Sequence, residues 1–266
     1  MRCDICPHNC EIPSGGTGFC KARPLSYGKL TAIALDPVEK KPLYHFHPGK
    51  MILSVGSFGC NLRCPWCQNS HISMAGPYDV EISEAGPETL TALAERYVPA
   101  GNIGVAFTYN EPLINFEYVR DTSLRLKERG LKSVLVTNGY ANPKYFDELL
   151  PLIDAMNIDL KSIKSDFYKG ISGDVEVVKR NIRSAAERCH VELTCLLING
   201  ENDSIAEMEE MTDFIVSVSK DIPLHISRFF PRHEMRDKEQ TSIDTMKRFE
   251  EIAARKLSSV HLGNVR

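Results

Sequence analysis

Short apolar runs that alternate with longer amphipathic segments constrain this chain more than any other feature, and they continue from Met51 to the C-terminus. Runs at 51–57, 103–108, 133–137, 155–160, 191–198 and 223–228, with a further candidate at 259–262, are mostly apolar throughout. They read as strands buried on both faces. Helices are expected at 87–98, 112–129, 143–151, 174–189, 203–219 and 241–257. Pro87, Pro112 and Pro143 fall where a first helical turn tolerates proline. In the 203–219 segment Asn202 or Asp203 is expected to cap, and Met208, Met211, Ile215 and Val218 recur at helical spacing. Six or seven βα units make an α/β fold with a parallel sheet and right-handed crossovers, either an open barrel or a doubly wound sheet. Chemistry in both sits at the C-terminal ends of the strands, so the residues just after each run are the candidates.

Upstream of these units the pattern is different. Residues 1–25 are rich in Cys, Gly and Pro and read as a small module held by metal, residues 26–50 as a connector with a short strand at Leu30–Leu35, and residues 51–266 as the β/α domain. The formal net charge of −3 gives no electrostatic case for nucleic acid or an anionic membrane as the main partner. No uninterrupted apolar stretch approaches the roughly 20 residues that span a bilayer. Met1-Arg2-Cys3-Asp4 opens no apolar secretory segment, so a cytoplasmic location is expected. Cytosolic thiols stay reduced, so nine cysteines point to metal binding or catalysis rather than disulfides. Seven of the nine lie in two clusters within the first 67 residues, while Cys189 and Cys195 read as small buried hydrophobes.

The second cluster, Cys60-x3-Cys64-x2-Cys67, follows the first apolar run directly. Three thiolates on one short loop leave one iron of a cubane without a protein ligand, the open position a catalytic centre needs. A zinc site would need a fourth ligand, for which His71 is the nearest candidate, and free buried cysteines are the bland alternative.

The segment resembles the motif of the radical S-adenosylmethionine (SAM) superfamily, down to the aromatic Trp66 before the last cysteine. That resemblance implies a parallel (β/α)6-type partial TIM barrel, a [4Fe–4S] cluster on Cys60, Cys64 and Cys67, and SAM chelating the unique iron, with Trp66 near the adenine. Cys67-Gln68-Asn69 is similar to the ending found in glycyl-radical activating enzymes such as pyruvate formate-lyase activase. Thr108-Tyr109-Asn110-Glu111-Pro112 stands where those activases carry a Gly-Gly-Glu-Pro segment that holds the SAM amino group; Glu111 keeps the carboxylate, and Tyr109 and Asn110 replace the glycines. Thr137-Asn138-Gly139-Tyr140 and Asp159-Leu160-Lys161 match further SAM-pocket segments, and His233 matches a histidine at the pocket rim. Val136 and Thr194 depart from an aspartate and an arginine of the activases. The resemblance thus implies Trp66, Asn69, Asn110, Glu111, Asn138, Asp159, Lys161 and His233 as SAM-site residues, and a low-potential reductant of flavodoxin or ferredoxin type. Over nearly the whole chain, including Cys6-Pro7-His8-Asn9-Cys10, Asp36-Pro37-Val38-Glu39-Lys40-Lys41-Pro42-Leu43 and Gly263-Asn264-Val265, it resembles the AmmeMemoRadiSam-system branch of that superfamily.

Cys3, Cys6, Cys10 and Cys20 could close a tetrahedral zinc site or hold a complete Fe–S cluster, with His8 as the rival ligand. Their spacing departs from the bacterial ferredoxin run and the segment is poor in apolar residues, which favours structural zinc; metal-free cysteines are the third reading. Three roles follow for the whole chain: hydrogen abstraction from a partner protein, as in glycyl-radical activation; modification of a small molecule or RNA; or a metal-binding interaction module without catalysis. Arg228, Arg232 and Arg236 could receive an anionic group, but a solvated face is the simpler reading.

Overall fold

The computed structural model describes residues 1–265. One eight-stranded sheet organises the chain, with strands β1 (Ala32–Pro37), β2 (Met51–Gly56), β3 (Asn102–Phe107), β4 (Lys132–Thr137), β5 (Ala155–Asp159), β6 (His190–Leu197), β7 (Leu224–Arg228) and β8 (Val260–Gly263). Spatial order follows chain order, and β2 to β8 run parallel. Helices α1 (Pro87–Arg96), α2 (Phe116–Glu128), α3 (Pro143–Leu149), α4 (Val175–Ala186), α5 (Ile205–Val218) and α6 (Ile243–Ala254) each follow one strand from β2 to β7. Six β/α units therefore make a partial barrel, and among the described residues β1 and β8 do not pair with each other. No helix among those residues is long and apolar enough to cross a membrane.

Strand positions agree with the sequence reading to within two residues at either end, because runs such as Val134–Leu135 and Met156–Ile158 must be covered on both faces. Pro87 and Pro143 begin α1 and α3, whereas Pro112 begins a 3₁₀ turn (Pro112–Asn115) that precedes α2. The cap of α5 is neither Asn202 nor Asp203. Ser204 takes that role, its side chain accepting from the Glu207 N–H. Asn202 is turned inward instead, where it accepts from Ile198 N at 2.8 Å and donates to the carbonyls of Leu196 and Lys161 at 2.8 Å each.

The segment read as a connector is structural. A two-residue strand at Lys29–Leu30 pairs with Ser83–Glu84, and β1 then runs antiparallel along β2 as the edge of the main sheet. After β1 the chain turns under the barrel. Val38 and Leu43, both fully buried, pack with Ile52, Ala106, Val134 and Ala155. This plug is fixed by Glu192 on β6, which has no solvent exposure and accepts four hydrogen bonds. They come from Tyr44 N (3.0 Å), His45 N (2.8 Å), His190 Nε2 (2.9 Å) and His225 Nε2 (2.6 Å). Burial alone would raise the Glu192 carboxyl; the two imidazoles and two amides outweigh it and hold the group well below the usual carboxylate range. His45 and His261 add an Nε2···Nε2 contact of 2.9 Å.

Candidate active site

The loop after β2 is shaped by glycine at one decisive place. Gly59 has φ +80, and a Cβ there would lie 2.3 Å from the Cys20 carbonyl oxygen. That oxygen accepts the Cys60 N–H at 3.2 Å, so the N-terminal cysteine segment packs directly behind the catalytic loop. Arg63 reinforces the junction by donating to the carbonyls of Phe19 and Cys60, and His8 Nε2 lies 2.8 Å from the Asn61 carbonyl. His8 is thereby committed to the loop. Cys3 and Cys10 face each other across the two-residue ladder of Arg2–Cys3 with Cys10–Glu11, while Cys6 and Cys20 are buried.

Cys60, Cys64 and Cys67 line one cavity of about 460 Å³, at the C-terminal ends of the parallel strands. Six of the SAM-site residues read from the sequence line it with them: Asn69, Asn110, Glu111, Asn138, Asp159 and Lys161. Trp66 also lines it, packed against Phe167 at a centroid distance of 5.3 Å. His233 is not among the lining residues. It pairs with Glu234 at 3.4 Å on a loop whose Glu234 N–H donates to the Pro65 carbonyl at 2.9 Å. His71 is exposed and also lies outside the lining, so the structure does not bring it to the three cysteines. Of the three arginines, Arg232 and Arg236 are exposed and Arg228 donates to the Thr241 carbonyl at 2.6 Å.

The cysteine sulfurs sit among donors. Leu62 N approaches Cys60 Sγ at 3.4 Å, Asn138 Nδ2 approaches it at 3.7 Å, and Ser73 Oγ lies 3.0 Å from Cys67 Sγ. Burial raises the Cys60 thiol and pushes Cys64 up to about 11. Such thiols give up their protons to a metal that neutralises the charge, and N–H···S contacts then tune it. Three converging cysteines without a fourth Cys or His on the cavity wall fit a cubane with one open iron better than a closed zinc site.

Glu111 is 2% exposed. It accepts from Thr137 Oγ1 (2.6 Å), Asn138 N (2.7 Å) and Leu113 N (2.9 Å). No lysine or arginine among the described residues pairs with it, and burial pushes its carboxyl up to about 7. A cationic group entering the cavity would meet a carboxylate that the protein itself leaves without a counter-charge. Asp159 and Lys161 form their own pair at 2.7 Å. Burial opposes charge on Lys161, but Asp159 and Cys64 outweigh it and keep the ammonium well above its usual range.

Asn69 and Asn110 line the cavity yet are spent on the backbone. Asn69 Nδ2 donates to the Tyr109 carbonyl at 2.7 Å; Asn110 accepts from Ser57 N at 2.9 Å and donates to Phe58 O (3.1 Å) and Gly59 O (3.0 Å). Tyr109 has φ +68, a left-handed conformation that costs a residue with a side chain about 1–3 kcal/mol. Sequence reasoning gave no role to Lys40 and Lys41, which also line the cavity, and read Asn202, which holds the Lys161 carbonyl, only as a helix cap. An inward asparagine between two apolar segments was the available signal for the last.

A model described as the radical SAM superfamily matches residues 54–215, more than half of the chain. An uncharacterized protein of Methanocaldococcus jannaschii is 36% identical over 100% of this chain and 81% of its own length. The pyruvate formate-lyase-activating enzyme of Clostridium pasteurianum is 32% identical over 116 residues, covering 43% of this chain and 48% of that one. In fold, the chain is similar to Streptococcus suis SuiB bound to S-adenosylmethionine, with a TM-score of 0.61 and 13% identity over 80% of this chain and 51% of that one. The motif, its place at the strand ends and these likenesses agree: the chain belongs to the radical SAM superfamily and is an enzyme of that class.

Proposed function

We propose that this enzyme holds a [4Fe–4S] cluster on Cys60, Cys64 and Cys67 and uses it to cleave SAM reductively, directing hydrogen abstraction at a partner protein. The observation that carries the reading is the convergence of three cysteines of one loop with the unpaired carboxylate of Glu111 in a single cavity. When bound, the cluster supplies the electron that breaks the SAM C5′–S bond. The chain's own residues bind and orient. Glu111 takes the SAM ammonium, Asn138 and the Asp159–Lys161 pair shape the pocket, and Trp66 walls the adenine side. The reductant is a low-potential flavodoxin or ferredoxin. Similarity to an activating enzyme supports a protein as the hydrogen donor.

Cys3, Cys6, Cys10 and Cys20 hold a structural zinc in this reading. Supporting it, Cys3 and Cys10 face each other across the short ladder, burial raises the Cys6 and Cys20 thiols, Phe19 N donates to Cys10 Sγ at 3.4 Å, and Cys20 braces the catalytic loop. The test is anaerobic reconstitution with iron and sulfide, then dithionite and SAM, with 5′-deoxyadenosine quantified beside a Cys60/Cys64/Cys67→Ala variant. The nucleoside is expected only with the intact triad, and the variant is expected to keep zinc without iron. A reconstituted wild-type protein that forms no nucleoside would overturn the central reading, and iron retained by the variant would overturn the zinc assignment.

A further inference from the structure

We infer that Tyr109 is a positioning residue for SAM, a strut that ties the turn bearing Glu111 to the edge strand through Asp36 and Lys41. The inference rests on the reading that the cavity takes SAM.

Tyr109 is held from every side. Its hydroxyl donates to Asp36 Oδ2 at 2.9 Å, and the same oxygen accepts from Lys41 Nζ at 2.9 Å. Lys40 Nζ takes the other carboxylate oxygen at 3.1 Å. Lys41, almost wholly buried, also places its ammonium 4.7 Å from the centroid of the tyrosine ring. On the opposite side, a Cβ at Gly56 would come within 2.9 Å of the Tyr109 side chain, so the ring occupies the space that Gly56 leaves open.

The backbone at Tyr109 is the hinge of the site. Residue 109 is left-handed, its carbonyl is fixed by Asn69 two residues beyond Cys67, and Asn110 next to it grips the carbonyls of Phe58 and Gly59. Glu111 follows immediately. The turn therefore joins the cysteine loop to the carboxylate that faces the SAM ammonium, and the Tyr109–Asp36–Lys41 strut anchors it to the edge strand. A left-handed tyrosine relaxes once that strut is cut, and Glu111 moves with it. A carboxylate displaced by a fraction of an ångström weakens SAM binding without touching the cluster.

The experiment uses reconstituted full-length enzyme and SAM itself. Tyr109→Phe removes only the hydroxyl; Asp36→Asn and Lys41→Met cut the strut from its other end. Each is expected to raise the SAM Kd about tenfold, the size of one lost charge-assisted hydrogen bond. The rate of 5′-deoxyadenosine formation at saturating SAM is expected to stay within about twofold, and the iron content to match wild type. A role in packing alone would instead lower melting temperature, iron content and saturated rate while leaving Kd unchanged in the folded fraction, and that pattern overturns the inference. Tyr109→Phe with a wild-type Kd overturns it as well. Should wild-type enzyme fail to bind SAM, the proposed function falls and takes this inference with it, an outcome distinct from wild-type binding that the variants leave intact.

Discussion

Replacing Glu192 by glutamine tests whether the barrel base is held as described. The carboxylate serves two donors on each oxygen, one backbone N–H and one imidazole nitrogen. A glutamine carbonyl can keep one pair. Its NH2 group must face the other, and while a histidine can change tautomer to accept, the N–H of Tyr44 or His45 cannot. One buried backbone donor loses its acceptor, at about 1–3 kcal/mol, and the remaining bonds lose their charge assistance, for a total of about 3–5 kcal/mol. At roughly 2–4 °C per kcal/mol for a chain of this size, the melting temperature should fall by about 10 °C at pH 7.5, read by circular dichroism. The sign with pH follows from the depressed carboxyl. Its contribution is complete above the unfolded value of about 4.5 and is lost as pH falls through the lower folded value, so the gap between variant and wild type should close in acid. Trypsin should cut faster after Lys40 and Lys50. A variant that melts within about 2 °C of wild type, or that keeps its full deficit at pH 3.5, would refute the reasoning.

Three further substitutions probe the site. Gly59→Ala drives a Cβ into the Cys20 carbonyl and should cost about 3–5 kcal/mol, with metal lost from both cysteine sets on elemental analysis. Glu111→Gln should weaken SAM binding at least tenfold. Wild-type affinity should rise as pH increases through about 7, where the free carboxyl ionises to receive an ammonium, and the variant should show no such rise in a calorimetric titration. Asn202→Ala leaves Ile198 N and two carbonyls, one of them that of Lys161, without their partner and should lower stability by about 2–4 kcal/mol in a urea titration.

The strands and the cysteine motif were legible because their signals are local: an apolar run covered on both faces, three thiols within eight residues. Seven of the eight residues that the resemblance implied for SAM line the cavity, His233 being the exception. What stayed hidden is non-local. Glu192 sits in a mostly apolar strand, and its partners lie 148, 147 and 33 residues away as well as two. Nothing near Asp36 announces that its carboxylate meets a tyrosine 73 residues later. Asn202 was misread as a cap because a short polar side chain before a helix is the usual cap signature; its amide is engaged with three backbone groups instead.

The plug beneath the barrel also sets an order of events during synthesis. His45 meets His261 across 216 residues of chain. At about 5–20 residues per second on a ribosome, the first of that pair waits roughly 10–40 s for the second. Val38 and Leu43 find all their apolar partners once Ala155 has been made, so only the polar tie through His261 waits for the end of the sheet. The apolar part of the base can therefore form ahead of β6 to β8, with the Glu192 and His261 contacts added as those strands dock.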